Sequence, residues 1–163
     1  HRHTRIHINH TSAIVNAKRA VAKDNRIRFY IRGKIKDPNF DINPFELTTI
    51  LSHVLNNAIE ACKYYGENSW TNIKMYDDSE NIYFEISNRG IVRNEFLNKV
   101  FDLGFSTKKT LGKGYGLHIV KQIIEKNMGY IEILNNSNKT VTVNIIIPRR
   151  IKQDDRVSIE EFS

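Results

Sequence analysis

Cysteine and long apolar runs are both scarce in this chain. The 163 residues include one cysteine, Cys62, which excludes a disulfide framework and a cysteine-based metal cluster. No apolar run approaches the roughly eighteen residues that a membrane-spanning helix needs, and no signal-peptide pattern opens the sequence. These absences argue against a disulfide-rich secreted domain and favour a reducing, cytoplasmic setting.

The composition is that of an ordinary globular domain. Apolar residues make up 40% of the chain and charged residues 26%, over a length that suits one domain with a core. The net charge of +7 favours an anionic partner, which could be a nucleotide, a nucleic acid, an acidic protein or a membrane surface. The sequence contains no aromatic–basic motif that favours nucleic acid, so that partner is not expected.

Hydrophobic periodicity predicts one α+β domain, a two-layer sandwich in which helices cover one face of a mixed or antiparallel sheet. Residues 1–12 are expected to be a linker or the end of a preceding helix, 13–148 the domain, and 149–163 a charged, loosely attached tail. The predicted helices are 11–24, 44–63, 94–101 and 116–129, and the predicted strands are 26–35, 70–76, 81–87, 130–134 and 140–147.

The helix 44–63 carries an unusual polar row beside its apolar face. Glu46, His53, Asn57 and Glu60 lie along the edge of that face rather than opposite it. An Asn amide oxygen is a suitable ligand for Mg²⁺, and a histidine can position a neighbouring group. The alternative is that both side chains bond nearby backbone at the edge of the core, and the row alone leaves this open.

A polar, glycine-rich segment precedes the helix 116–129. Glycines before a helix N-terminus let backbone N–H groups approach phosphate, although neither a Walker motif nor a Rossmann turn is present. A solvated basic loop is the alternative for each part alone. Together with the helix-borne Asn, these residues are the parts of a Mg–nucleotide site; they are Ser106, Thr107, Lys108, Gly112, Gly114 and Gly116.

Four segments in a fixed order resemble a known family. They are "LSHVLNNAIEA" (51–61), "ISNRG" (86–90), "VFDLGFSTKK" (100–109) and "GKGYGLHIVKQII" (112–124). They resemble the N box, first glycine box, F box and second glycine box of the GHKL (Bergerat-fold) ATPases. The similarity covers about residues 13–148 and is greatest to the catalytic ATP-binding domains of sensor histidine kinases, with the Agr-type peptide-sensing, quorum-sensing kinases as the nearest subgroup.

The resemblance implies roles for individual residues. Asn57 would ligate Mg²⁺, and Asn88 would accept a hydrogen bond from the adenine amino group, where most members have Asp. His53 and Lys108 would be catalytic, and Thr142 would contact adenine through water. The full set of implied ATP-binding residues is Asn57, Asn88, Gly90, Phe105, Ser106, Thr107, Lys108, Gly112, Gly114, Tyr115, Gly116, Leu117 and Thr142.

The implied function is that of a histidine kinase catalytic domain with ATP and Mg²⁺ as cofactors. It would transfer the γ-phosphoryl group to a His on a dimerisation domain absent from this chain, and pass the signal to a response regulator. The fragment would be a monomeric cytoplasmic domain of a homodimeric, membrane-anchored bacterial protein, with residues 102–115 as a mobile lid.

The family pattern is also altered. The first glycine box lacks its second Gly, Asn88 replaces Asp, and Ala61 stands where an aromatic residue is common. A degenerate domain that acts as a protein-interaction module is therefore the main alternative. A serine kinase or a hydrolysing ATPase on the same fold is a second alternative, disfavoured because position 53 lacks the general-base Glu.

Overall fold

A computed structural model of the chain describes the backbone of residues 2–105 and 116–150, and side chains from His10 onward. The order of elements agrees with the predicted one. Within the described residues, every helix is too short or too polar to span a bilayer. The helices are α1 (Arg2–Asp24), α2 (Pro44–Tyr65), α3 (Asn94–Leu97) and α4 (His118–Lys126), and the strands are β1 (Arg28–Gly33), β2 (Trp70–Asp77), β3 (Asn81–Arg89), β4 (Tyr130–Asn136) and β5 (Thr140–Pro148).

Five strands form one mixed sheet in the order β1-β2-β3-β5-β4. β1 and β2 are parallel, and the other neighbouring strands are antiparallel. Alternate residues of the strands are buried, such as Ile82, Phe84 and Ile86 on β3, and they form one core with the buried face of α2. This arrangement confirms the predicted α+β sandwich with helices on one face of the sheet.

α2 supplies much of the helical side of the core. It begins after Asn43, whose Oδ1 accepts a hydrogen bond from Phe45 N at 2.8 Å, and Pro44 occupies the first turn. It ends at Gly66, whose φ of 79° suits glycine. The predicted apolar face is confirmed, and burial of each large side chain contributes about 1.5–3 kcal/mol. The buried residues are Leu47, Ile50, Leu51, Val54, Leu55, Ala58, Ile59, Ala61 and Cys62.

α1 continues without a break across the expected boundary between residues 12 and 13. Val15 and Ala22 are buried, and α1 packs against α2. The rings of His10 and Phe45 meet edge-on at 5.1 Å. Of the two expectations for the first residues, the structure favours the end of a helix over a linker.

Arg149 ties the loop before α2 to the sheet, which corrects its assignment to a loosely attached tail. Its side chain is buried and forms an ion pair with Asp77. Its guanidinium also donates to the backbone oxygens of Asp37 at 2.6 Å, Asn39 at 3.0 Å and Asp78 at 2.8 Å. Arg149 is therefore part of the folded domain, and it fixes the chain that leads into α2.

Candidate functional site

Four residues of α2 at intervals of four form a single row that leads to the end of β3. They are His53, Asn57, Ala61 and Tyr65, and such a row extends about 18 Å along a helix. The last member, Tyr65, reaches the chain beyond β3, where its hydroxyl oxygen lies 3.1 Å from Ile91 N. The row therefore connects the middle of α2 with the segment that follows β3.

The outer members of the predicted polar row have structural partners. Glu46 in the first turn of α2 forms an ion pair with Lys126 at the end of α4, at 3.0 Å. Glu60 forms an ion pair with Lys63 one turn later, at 3.2 Å. Both pairs are partly exposed and are worth little energy. These ion pairs explain why positions 46 and 60 are polar without any ligand. They do not explain the polar residues between them, His53 and Asn57.

Asn57 carries an amide nitrogen that the described part of the fold leaves unpaired. Its Nδ2 atom is buried but has no hydrogen-bond partner among the described residues. A buried polar atom without a partner destabilises a protein by about 1–3 kcal/mol, which favours a functional explanation. His53, one turn earlier, is exposed. Both side chains are therefore available to a ligand on this side of α2.

Asn88 is the last buried residue of β3 and continues the inward-facing row that includes Ile86. Its neighbours in the sheet are Thr71 on β2 and Val141 on β5. Its Nδ2 donates to Arg89 O at 2.8 Å, and no described residue donates to its Oδ1. The amide oxygen of Asn88 thus has no donor among the described residues and remains a hydrogen-bond acceptor at the end of the strand.

Gly90 follows directly and allows a close approach of backbone and ring. Its φ is +145°, and a Cβ atom built on it would lie 2.6 Å from Cε2 of Tyr65. Its N–H donates to Lys139 O at 3.0 Å. Because residues with a side chain rarely adopt this φ, and a Cβ would displace the ring of Tyr65, glycine is favoured here. The glycine-box position therefore has a physical basis in this chain.

The described residues on either side of segment 106–115 meet in space. A Cβ atom built on Gly116 would lie 3.9 Å from Phe105 O. Leu117 is buried, and its N–H donates to Val100 O at 3.3 Å. The predicted site residues Phe105, Gly116 and Leu117 therefore lie close together, at the two ends of the glycine-rich segment.

Six predicted site residues lie outside the described residues, and so does most of the expected lid. They are Ser106, Thr107, Lys108, Gly112, Gly114 and Tyr115. Their roles stay predictions.

Thr142 is not brought to the same face as Asn88. It pairs in register with Ser87, and the two hydroxyl oxygens lie 2.9 Å apart. Because successive residues of a strand point to opposite faces, Ser87 and Thr142 lie on the face away from the helices. Val141 therefore stands beside Asn88 in the sheet, and the implied contact of Thr142 with adenine through water stays a prediction.

Comparison with known proteins agrees with this geometry. Residues 42–148 match the family model of the GHKL domain. The chain belongs to the GHKL family. The match includes α2 and all of the strands except β1, and so it contains each described residue of the candidate site.

Two curated relatives of this GHKL domain are bacterial sensor proteins. It is 30% identical over 123 residues to a probable C4-dicarboxylate sensor kinase of Halalkalibacterium halodurans, covering 71% of the chain and 23% of that protein. It is 28% identical over 154 residues to the sensor protein CitS of Bacillus subtilis, covering 88% of the chain and 27% of that protein. The chain thus spans about a quarter of the length of these relatives.

Solved structures of similar fold are histidine kinase domains. The catalytic domain of histidine kinase ThkA superposes with a TM-score of 0.70 at 25% identity, covering 85% of this chain and 91% of that one. A structure of ThkA in complex with the response regulator TrrA gives a TM-score of 0.69 at 22% identity, covering 87% of this chain and 40% of that one. The latter likeness concerns the fold alone.

The donor set of this GHKL domain fits a weakly held Mg²⁺ rather than a permanent metal centre. Among the described residues, no group of three or more His, Cys, Asp and Glu could hold a metal ion. Mg²⁺ keeps several waters and takes one or two protein ligands besides the phosphates of a substrate. The amide oxygen of Asn57 is an oxygen donor of the kind that Mg²⁺ takes, so this side chain fits the ion.

Proposed function

We propose that this GHKL domain binds Mg–ATP and serves as the catalytic domain of a two-component sensor histidine kinase. The observation that carries the proposal is the unpaired amide nitrogen of Asn57, on the α2 row whose last member, Tyr65, lies against Gly90 just beyond the end of β3 and two residues after Asn88. An amide on α2 and a hydrogen-bond acceptor at the end of β3 match a metal ligand and a base acceptor for the two ends of a nucleotide.

The adenine base is assigned to the end near Gly90. The free Oδ1 of Asn88 accepts a hydrogen bond from the exocyclic amino group of adenine, and guanine, which has a carbonyl oxygen at that position, is disfavoured. The acceptor is neutral rather than ionised, so this bond is weaker than the one that an Asp makes.

The phosphates are assigned to the middle of α2 and to the glycine-rich segment. Asn57 Oδ1 ligates Mg²⁺, which neutralises charge on the phosphates, and exposed His53 lies one turn away from it on the same side. Backbone N–H groups of the segment and the start of α4 hold the phosphate oxygens. The side chains proposed to assist are Ser106, Thr107, Lys108 and Tyr115, with Gly112, Gly114 and Gly116 giving close approach.

Catalysis consists of positioning and charge stabilisation. A ring nitrogen of the acceptor His forms a bond to the γ-phosphorus while the bond from that phosphorus to the β–γ bridging oxygen breaks, and ADP leaves. Lys108 and His53 stabilise charge on the transferred group. A neutral imidazole is already nucleophilic, so no general base for water is needed, which fits His53 in place of a Glu.

The partners are a dimerisation domain that carries the acceptor His and a response regulator. The sensor-protein relatives and the complex of ThkA with TrrA support this proposal. The parent protein is proposed to be a membrane-anchored homodimer with this domain on the cytoplasmic side, and sequence resemblance alone places it nearest to the peptide-sensing, quorum-sensing kinases.

Phosphoryl transfer tests the proposal. The chain is incubated with Mg²⁺ and γ-labelled ATP. One sample also contains, as a separate chain, the dimerisation domain of the parent protein, a helical hairpin that carries the acceptor His. Acid-labile label should appear on the hairpin only, and Asn57→Ala should remove it. Label on a His of this chain, or an unlabelled hairpin in the presence of bound Mg–ATP, would contradict the proposal.

A degenerate interaction module is the second candidate. Val92 is buried where the family has its second glycine, so the backbone beyond Gly90 packs as core rather than as an open glycine loop. This candidate predicts a stable fold that does not bind Mg–ATP.

A further inference from the structure

Two side chains hold the short segment that follows Gly90. The Tyr65 hydroxyl accepts a hydrogen bond from Ile91 N at 3.1 Å and donates to Ile91 O at 3.4 Å. Both backbone polar groups of Ile91 are therefore satisfied by a single side chain from the end of α2. The ring of the same tyrosine lies against Gly90.

Val92 is held in the same manner from the other side. Its N–H donates to Asn135 Oδ1 at 2.9 Å, and Asn135 Nδ2 donates to Val92 O at 2.6 Å. Asn135 lies on β4, two strands away from β3 in the sheet. Such a reciprocal pair uses both functions of the amide, which fixes its orientation.

The two contacts have a common consequence for Asn88. In a glycine box with two glycines, the glycines themselves allow the backbone conformation. In this chain the second glycine is missing, and Val92 stands in its place. The four backbone groups of Ile91 and Val92 are instead fixed by side chains from α2 and β4. Asn88 lies three residues before Ile91 and donates to the backbone oxygen of Arg89, so its amide is linked to this segment through a short stretch of chain.

We infer that Tyr65 and Asn135 are positioning residues for adenine recognition. They hold residues 90–92 so that Asn88 Oδ1 faces the amino group of the base. The inference rests on the proposed function, because it requires that Mg–ATP binds at this site. Neither residue contacts the phosphates in this arrangement, so their effect is confined to the base end of the nucleotide.

Tyr65→Phe is the sharpest test because it removes only the hydroxyl. The ring stays against Gly90, and water can reach the freed Ile91 groups since Tyr65 is 38% exposed. The fold should therefore persist. Tyr130→Phe is the matched control: it is also a surface tyrosine whose hydroxyl makes one hydrogen bond, to Glu132 at 3.2 Å.

Calorimetric titrations of the whole chain should use Mg–ATP, Mg–GTP and Mg–tripolyphosphate as probes. Tyr65→Phe and Asn135→Leu should each weaken Mg–ATP about five- to tenfold, as expected for lost hydrogen bonds. The affinity for Mg–tripolyphosphate should stay at the value of the unsubstituted chain. The preference for ATP over GTP should fall. The control should match the parent with every probe.

Three results would overturn the inference. Unchanged ATP affinity in both variants would show that the contacts do not position the site. Equal losses for ATP and tripolyphosphate would show a general structural role. A folded parent that binds no Mg–ATP would refute the proposed function itself, and the inference with it. Faster hydrogen exchange of the Ile91 amide in Tyr65→Phe should accompany the expected result.

Discussion

Gly90 lies so close to the ring of Tyr65 that a Cβ atom on Gly90 would stand 2.6 Å from Cε2. Gly90→Ala should push this ring away and strain a backbone with φ of +145°, lowering the free energy of unfolding by about 1–3 kcal/mol. Mg–ATP affinity should fall as well. Urea unfolding and calorimetry measure the two effects.

Gly66→Ala is the control for that substitution. Gly66 also has a positive φ, +79°, but no heavy atom lies within 4 Å of its Cβ position. It should show a loss of stability from backbone strain without any loss of Mg–ATP affinity. Equal effects of the two substitutions on nucleotide binding would argue against a role of the Gly90 contact.

Asn57→Ala should remove most of the Mg²⁺-dependent part of the nucleotide affinity and leave the chain folded. The fold does not use the Nδ2 atom of Asn57, so its loss should not destabilise the protein. Calorimetry with and without Mg²⁺ measures the effect. Asn56→Ala, an exposed neighbour on the same helix, is the matched control. A variant that still binds Mg–ATP like the parent would disprove the metal assignment.

Asn88→Asp should match or improve the affinity for ATP, because an ionised acceptor makes a hydrogen bond about twice as strong as a neutral one. Asn88→Leu should abolish the discrimination of ATP from GTP. Competition titrations with the two nucleotides measure this. If Asn88→Leu keeps the parent's preference, the residue has only a structural role at the end of β3.

Asp77 should make the fold sensitive to acid. Burial by itself would raise the pKa of this carboxyl, but the N–H groups of Lys36 and Asp37 and the charge of Arg149 outweigh burial and hold the pKa below its usual 3.8. A carboxyl with a lowered folded pKa adds stability above its unfolded pKa. This stability is lost as the pH falls through the folded value.

Asp77→Ala should therefore lower the free energy of unfolding near neutral pH by about 1.5–3 kcal/mol, because it removes the nearest carboxylate from the buried Arg149, which keeps only a longer ion pair with Asp37 at 3.9 Å. The difference in the free energy of unfolding between the unsubstituted chain and Asp77→Ala should become smaller as the pH falls below about 3.8. Asp24→Ala, at an exposed position, should change stability by no more than about 0.5 kcal/mol. A gap that is the same at acid and neutral pH would contradict this explanation.

The sequence was sufficient to predict the position of a side chain wherever the periodicity of a single helix or strand determines its direction. A period of four on α2 places His53 and Asn57 on one side, and the helical period places the apolar face of α2 toward the core. Both follow from the geometry of a single element, so no tertiary information was needed. The order of helices and strands predicted a mixed or antiparallel sheet with one covered face, and the parallel pairing of β1 with β2 decides for a mixed sheet.

The contacts that depend on pairing between distant elements could not be predicted. The face on which Thr142 lies depends on its register with β3, and a shift of one residue reverses it. Arg149 was assigned to the tail because its partners lie far away in the sequence. The contacts of Tyr65 and Asn135 with the chain beyond Gly90 likewise leave no short-range pattern in the sequence. One usable sign of the Tyr65 contact was that Tyr65 lies one helical turn after Ala61, on the same row as Asn57.

Titration of Mg–ATP into the 163-residue chain tests the proposed function most directly. The expected result is saturable binding of one nucleotide per chain that requires Mg²⁺, exceeds the affinity for Mg–GTP and is lost in Asn57→Ala but not in Asn56→Ala. A folded chain that gives no binding heat with Mg–ATP would contradict the proposal and favour the interaction module.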